Sequence, residues 1–85
     1  MRILVINWQD RQNPHAGGAE LHLHEVFGRI AARGNDVDLL CSGFPEASRD
    51  AVLDGIRVRR VGSRFTFPLH VRREYEALAA EREYD

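Results

Sequence analysis

The chain contains no lysine. All 12 basic side chains among its 85 residues are arginine. A phosphate-gripping P-loop, which needs a lysine, is therefore excluded. The arginine bias reads as codon usage in a GC-rich genome, even though arginine and lysine differ in how they hold phosphate. Net charge is also scarce. At −1 it argues against a partner recruited by the charge of the whole protein, and no DNA- or RNA-binding module is visible. Cys41 is the only cysteine, so no internal disulfide can form. It ends the apolar run Val37–Leu40 and reads as a buried, inert thiol in a reducing compartment. Long hydrophobic runs are missing too. The apolar stretch that begins the chain gives way at Asn7 to Trp8, Gln9 and Asp10, too soon for a secretory leader or a membrane span. We therefore expect a cytoplasmic protein, with contact at a membrane surface left open.

The most informative segment joins three elements. Arg2–Asn7 is a continuous run rich in Ile and Val, typical of a strand buried on both faces of a parallel sheet. A polar, turn-forming loop follows from Trp8 to Ala16, long for a strand-to-helix connection. Gly17 and Gly18 then open a helix predicted to run to Arg33, with Ala19, Leu23, Val26, Phe27 and Ile30 on its apolar face and Gly34 as its stop. A helix start carries unpaired backbone N–H groups and partial positive charge, and glycines let an anion approach it. Open α/β sheets bind ligands at this place, beyond the carboxyl ends of their strands. The dinucleotide fingerprint G-x-G-x-x-G is nevertheless absent: the loop is longer and carries only the glycine pair.

Asp36–Cys41 is predicted as a second buried strand, which completes a βαβ unit with a right-handed crossover. Ser42–Asp54 is turn-rich, with one helical turn expected within Ala47–Leu53. Ile56–Val61 alternates Ile56 and Val58 with Arg57 and Arg59, which predicts a strand with one wet face at or near a sheet edge. Leu69 to Arg82 is predicted as a second helix, with Val71, Tyr75, Leu78 and Ala79 as its better stripe. The expected fold is thus α/β, a parallel sheet with flanking helices in one domain over residues 1–85. Three strands and two helices bury little core, and the first strand lacks a neighbour on one side. We expect an N-terminal piece of a larger unit.

Particular side chains carry expectations of their own. Glu20 favours the positive helix start and should turn away from any diphosphate bound there. His15 and His24 read as solvent-exposed, and with His22 they do not form a metal site. Ile56 to Arg73 holds six arginines and no acid: Arg57, Arg59, Arg60, Arg64, Arg72 and Arg73. This stretch could attract an anionic acceptor or an anionic membrane surface, or be a solvated face neutralised by Glu74, Glu76, Glu81 and Glu83.

Four segments in order, MRILVIN, AGGAELH, HEVFGRIAARGNDVDLLCSG and DGIRVRRVGSRF, resemble the N-terminal domain of glycosyltransferase family 4. These are retaining, nucleotide-sugar-dependent enzymes with two Rossmann-like domains, the GT-B fold. The resemblance covers nearly the whole chain; one departure is Asn35, where the family often has His. It implies a glycosyltransferase that moves sugar from a nucleoside diphosphate sugar to an acceptor hydroxyl, with no metal or other cofactor. It implies that Gly17 and Gly18 lie near the donor diphosphate, and that His22, Asn7, Trp8 and Asn13 line the cleft or the acceptor side. No catalytic residue falls within these residues, since the paired glutamates near the donor sugar belong to a C-terminal domain. The fragment alone would be inactive. Two other readings stay open: a small, non-catalytic Rossmann-like module for an anion or nucleotide, and a nucleotide-sugar epimerase of the same architecture.

Overall fold

A computed structural model describes all residues, Met1–Asp85. The elements run β1 (Arg2–Ile6), α1 (Gly18–Ala32), β2 (Asp36–Ser42), β3 (Asp50–Leu53), β4 (Ile56–Val61) and α2 (Phe67–Glu81). They form an α/β domain whose single sheet has the order β1-β2-β4-β3. β1, β2 and β4 are parallel, whereas β3 pairs antiparallel with β4.

The expectation of a parallel sheet is thus corrected to a mixed one. Ala47–Leu53 gives no helical turn; its second half is β3. The cause is local. Asp54 and Gly55 both have positive φ, 57° and 77°, as the two central residues of a tight hairpin turn must. They place Leu53 opposite Ile56. β3 then takes the sheet edge, and β4 moves one strand inward from where the sequence put it.

The two faces of the sheet are covered by different helices. On one, Val37, Leu39, Cys41, Leu53, Ile56 and Val58 form a core packed by Leu23, Phe27, Ile30 and Ala31 of α1. On the other, Leu40 meets Phe67 and Leu78 of α2, with Leu4, Val61, Val71 and Tyr84 around them. β2 is therefore covered on both sides, and every residue from Val37 to Ser42 is buried. The predicted stripes hold in part. Ala19, Val26, Tyr75 and Ala79 are exposed, and α2 begins two residues earlier than expected, bringing Phe67 into the core.

α1 ends at Arg33 and Gly34, the latter with φ 92°. Residues beyond α2 return to the sheet. Tyr84 Oη donates to Asp38 at 2.6 Å. The backbone N–H of Asp85 donates to the carbonyl of Arg2 at 2.8 Å, and the Arg2 N–H donates to the Asp85 carboxylate. Asp85 thus sits against the outer edge of β1. Neither helix is long and apolar enough to cross a membrane.

Candidate functional site

A cleft of about 550 Å³ opens at the carboxyl ends of β2 and β4. Three loops wall it. The loop after β1 gives Asn13, Pro14 and His15; the loop after β2 gives Gly43, Phe44, Pro45, Ala47, Ser48 and Arg49; the loop after β4 gives Gly62, Ser63, Arg64 and Phe65.

A buried ion pair fixes these loops to one another. Asp10 is fully buried and Arg60 nearly so. Arg60 Nε donates to Asp10 Oδ2 at 2.7 Å, and Nη2 reaches Asp10 Oδ1 at 3.3 Å and Gln12 Oε1 at 3.0 Å. Its Nη1 donates to the Ser48 carbonyl at 3.1 Å, and the guanidinium lies over the Phe44 ring at 5.0 Å. One side chain of β4 therefore ties the loop after β1 to the loop after β2. Burial raises the Asp10 pKa, but hydrogen bonds from Arg60 and from the Gln12 N–H outweigh it and hold the carboxyl below its usual value. Burial, followed by the neighbouring Asp10 charge, pushes the Cys41 thiol far up. The thiol is buried, as the sequence implied, in surroundings that disfavour the thiolate.

The arginine-rich stretch proves to be mostly neutralised. Arg57 pairs with Asp38 at 2.7 Å, Arg59 with Asp50 at 2.9 Å and Glu74 at 3.1 Å, Arg60 with Asp10, and Arg72 with Glu76 at 3.3 Å. The expected wet face of β4 is thus only half-exposed, its arginines paired with acids from α2 and from other strands. Only Arg64 and Arg73 of the six have no carboxylate partner. Alternation along β4 already places Arg60 in line with Ile56 and Val58, and this is the one signal from which its burial could have been read.

Gly17 and Gly18 are exposed, beside the cleft but outside its walls; His15, two residues before, is one of those walls. Gly17 has φ −130°, and Gly18 is not in the left-handed region. A Cβ at either would meet nothing within 4 Å. Neither backbone shape nor crowding within the chain calls for glycine at these positions. Glu20 sits at the helix start, as expected, but turns back onto it rather than away. Its Oε1 folds back to accept the Gly17 N–H at 2.9 Å and Gln9 Nε2 at 3.0 Å, and these two bonds lower its pKa. The Gly17 N–H is thus occupied. The N–H groups of Gly18, Ala19 and Glu20 stand free at the helix start, with no preceding turn to bond them.

The remaining sequence candidates scatter. Asn13 is buried in the cleft wall. Asn7 donates to the Gln9 carbonyl at 2.8 Å and shapes the loop. Trp8 packs edge-on against Phe67, with ring centroids 5.7 Å apart, and covers the core of the α2 face. His22 is exposed on the first turn of α1 and is not a wall of the cleft. His24, expected in solvent, is 2% exposed. Its Nε2 accepts the Arg11 N–H at 3.3 Å, and its Nδ1 lies 3.3 Å from Asp54. Burial lowers its pKa, and the Asp54 charge offsets this only in part. No group of three or more His, Cys, Asp or Glu side chains converges into a metal-holding cluster. Compared with protein-family models, curated proteins and solved structures, the chain matches none.

Proposed function

We propose that residues 1–85 form the first part of the acceptor-side, Rossmann-like domain of a retaining, nucleotide-sugar-dependent glycosyltransferase, similar to family 4. The observation that carries this reading is the glycine pair. Two adjacent glycines stand at a helix start where the chain itself needs neither, and the N–H groups of Gly18, Ala19 and Glu20 have no partner there. A missing side chain has value there if something outside the chain comes close to the backbone, and a diphosphate is suited to that place. The parallel β1-β2-β4 core, helices on both faces and a cleft beyond the carboxyl ends agree with a Rossmann-like half.

In this reading the acceptor occupies the cleft and the donor diphosphate lies over the turn at Gly18. As the glycosidic bond of the donor breaks, negative charge grows on the leaving diphosphate. The N–H groups of Gly18, Ala19 and Glu20 are fixed in place to meet it, so they stabilise the transition state without reorganising. Gly17 contributes openness rather than a donor, since its N–H is held by Glu20. The sugar itself and the groups around it would be held by a second domain.

The test is release of nucleoside diphosphate by the intact polypeptide, across a panel of nucleotide sugars and acceptors. Release that Gly18→Val reduces at least tenfold supports the proposal. No release with any sugar nucleotide, together with anion binding at the turn, would replace it with a non-catalytic anion module.

A further inference from the structure

Two buried side-chain polar atoms in the whole chain have no hydrogen-bond partner. One, His24 Nδ1, faces the Asp54 carboxylate. The other is Nδ2 of Asn13, which is 4% exposed and stands in the wall of the cleft. The Asn13 amide cannot satisfy itself by flipping, because its Oδ1 already accepts the His15 N–H at 2.9 Å. An orphaned buried donor is costly, and native structures normally satisfy it with something outside the side-chain network.

The charge of the cleft says what that something is. Its 14 lining residues include three arginines and no carboxylate. Arg60 and Arg49 have acids behind them, Asp10 and Glu74. Arg64 has none. Its Nη1 lies 3.1 Å from Nε2 of His15, another wall of the cleft, and the guanidinium rests 5.3 Å from the Phe65 ring centroid. The cleft therefore presents an uncompensated guanidinium, and the unsatisfied Asn13 amide nitrogen lies sealed within its wall, with Phe44, Pro45 and Phe65 around them. Guanidinium and amide donors together select an oxyanion, and the volume suits a small molecule of sugar size or somewhat larger.

We infer that the acceptor taken by this cleft carries an oxyanionic group, phosphate or carboxylate, held by Arg64 and Asn13 Nδ2. The identification of the ligand as acceptor rests on the glycosyltransferase reading; the oxyanion preference does not.

The test is an NMR titration of the ¹⁵N-labelled chain, following the Arg64 Nε–H and Asn13 side-chain amide signals. The probes are glucose 6-phosphate, glucuronate and uncharged glucose. A saturable shift of both signals with either anion, at least tenfold weaker with glucose, supports the site; which anion binds more tightly assigns phosphate or carboxylate. Arg64→Ala should weaken that binding at least tenfold and Arg64→Lys should retain part of it. Arg64 is exposed, so both variants should keep the melting temperature of the parent chain. Equal binding of all three sugars, binding of none, or indifference to Arg64→Ala would overturn the inference. Anion binding without sugar transfer in the intact polypeptide would remove the acceptor role and leave the oxyanion site. Transfer onto neutral acceptors with no anion preference would do the reverse.

Discussion

The two helices are each 15 residues long and both begin beyond the carboxyl end of a parallel strand, but their first turns are built differently. α2 starts closed. Ser63 Oγ accepts the N–H groups of Phe65 and Thr66, Thr66 Oγ1 accepts that of Ser63, and the carbonyls of Ser63 and Thr66 take those of Phe67 and Leu69. Pro68 has no N–H to satisfy. Gly62, which precedes this turn, is forced: its φ is 63°, and a Cβ there would lie 2.6 Å from Thr66 Oγ1. α1 starts open. No side chain caps its N–H groups beyond Glu20 on Gly17, and its two glycines are required by nothing in the chain. At α2 the chain satisfies its own backbone N–H groups, although Ser63, Arg64 and Phe65 of that turn also line the cleft; at α1 it does not. The contrast is why the α1 turn reads as a place of contact.

The largest expected effect concerns how the open turn is delivered. Asp10→Ala leaves Arg60 buried without its partner and should destabilise the chain by about 3–5 kcal/mol in denaturant unfolding. A loss under 1 kcal/mol would show that the loop before α1 is not anchored by this pair. The closed turn is held by hydroxyls. Ser63→Ala should cost about 1 kcal/mol and leave anion binding at α1 unchanged. Gly18→Ala should act in the opposite sense on stability. The site is an exposed first helical position, so alanine should gain about 0.5–1 kcal/mol while weakening pyrophosphate binding. A loss of stability instead would mean that the glycine serves the fold after all.

The smallest effect is a slope with pH. Burial depresses the folded pKa of His24, so the unfolded chain binds more protons just below the ordinary histidine value near 6.5. Stability that is complete above about pH 6.5 should therefore fall as pH is lowered through that value toward the depressed folded pKa. The hydroxyls at α2 do not titrate there, and the carboxylates with lowered values, Asp10, Glu20, Asp38 and Asp54, act only near pH 4.5 and below. His24→Gln should flatten the slope between pH 6.5 and 5 in chemical unfolding measured at several pH values. An unchanged slope would assign it elsewhere.

The legible part of the fold was what local pattern controls. The places of β1, α1, β2 and the body of α2 follow from apolar spacing, but β1, expected to be buried on both faces, is an edge strand with no buried residue. Asp54-Gly55 carries a hairpin signal, yet the segment before it was expected to hold a helical turn, because β3 is four residues among turn formers and its alternation is too short to stand out. Pairings across long sequence separations were hidden. Arg57 and Arg59 look solvated in sequence because Asp38, Asp50 and Glu74 come to them only through β2, β3 and α2. The burial of His24 depends on Asp54, thirty residues away. At the site, Gly17, Gly18 and Asn13 could be singled out from the strand-loop-helix pattern. Arg64 could not be separated from its five neighbours until the structure accounted for four of them with acids.

The central claim is that the open start of α1 receives a diphosphate. Inorganic pyrophosphate titrated into the ¹⁵N-labelled chain tests it at the backbone itself. The account predicts saturable shifts of the Gly18, Ala19 and Glu20 amide signals, with Phe67 and Leu69 at the start of α2 unmoved. Still signals at Gly18–Glu20, or equal movement at both helix starts, would contradict it.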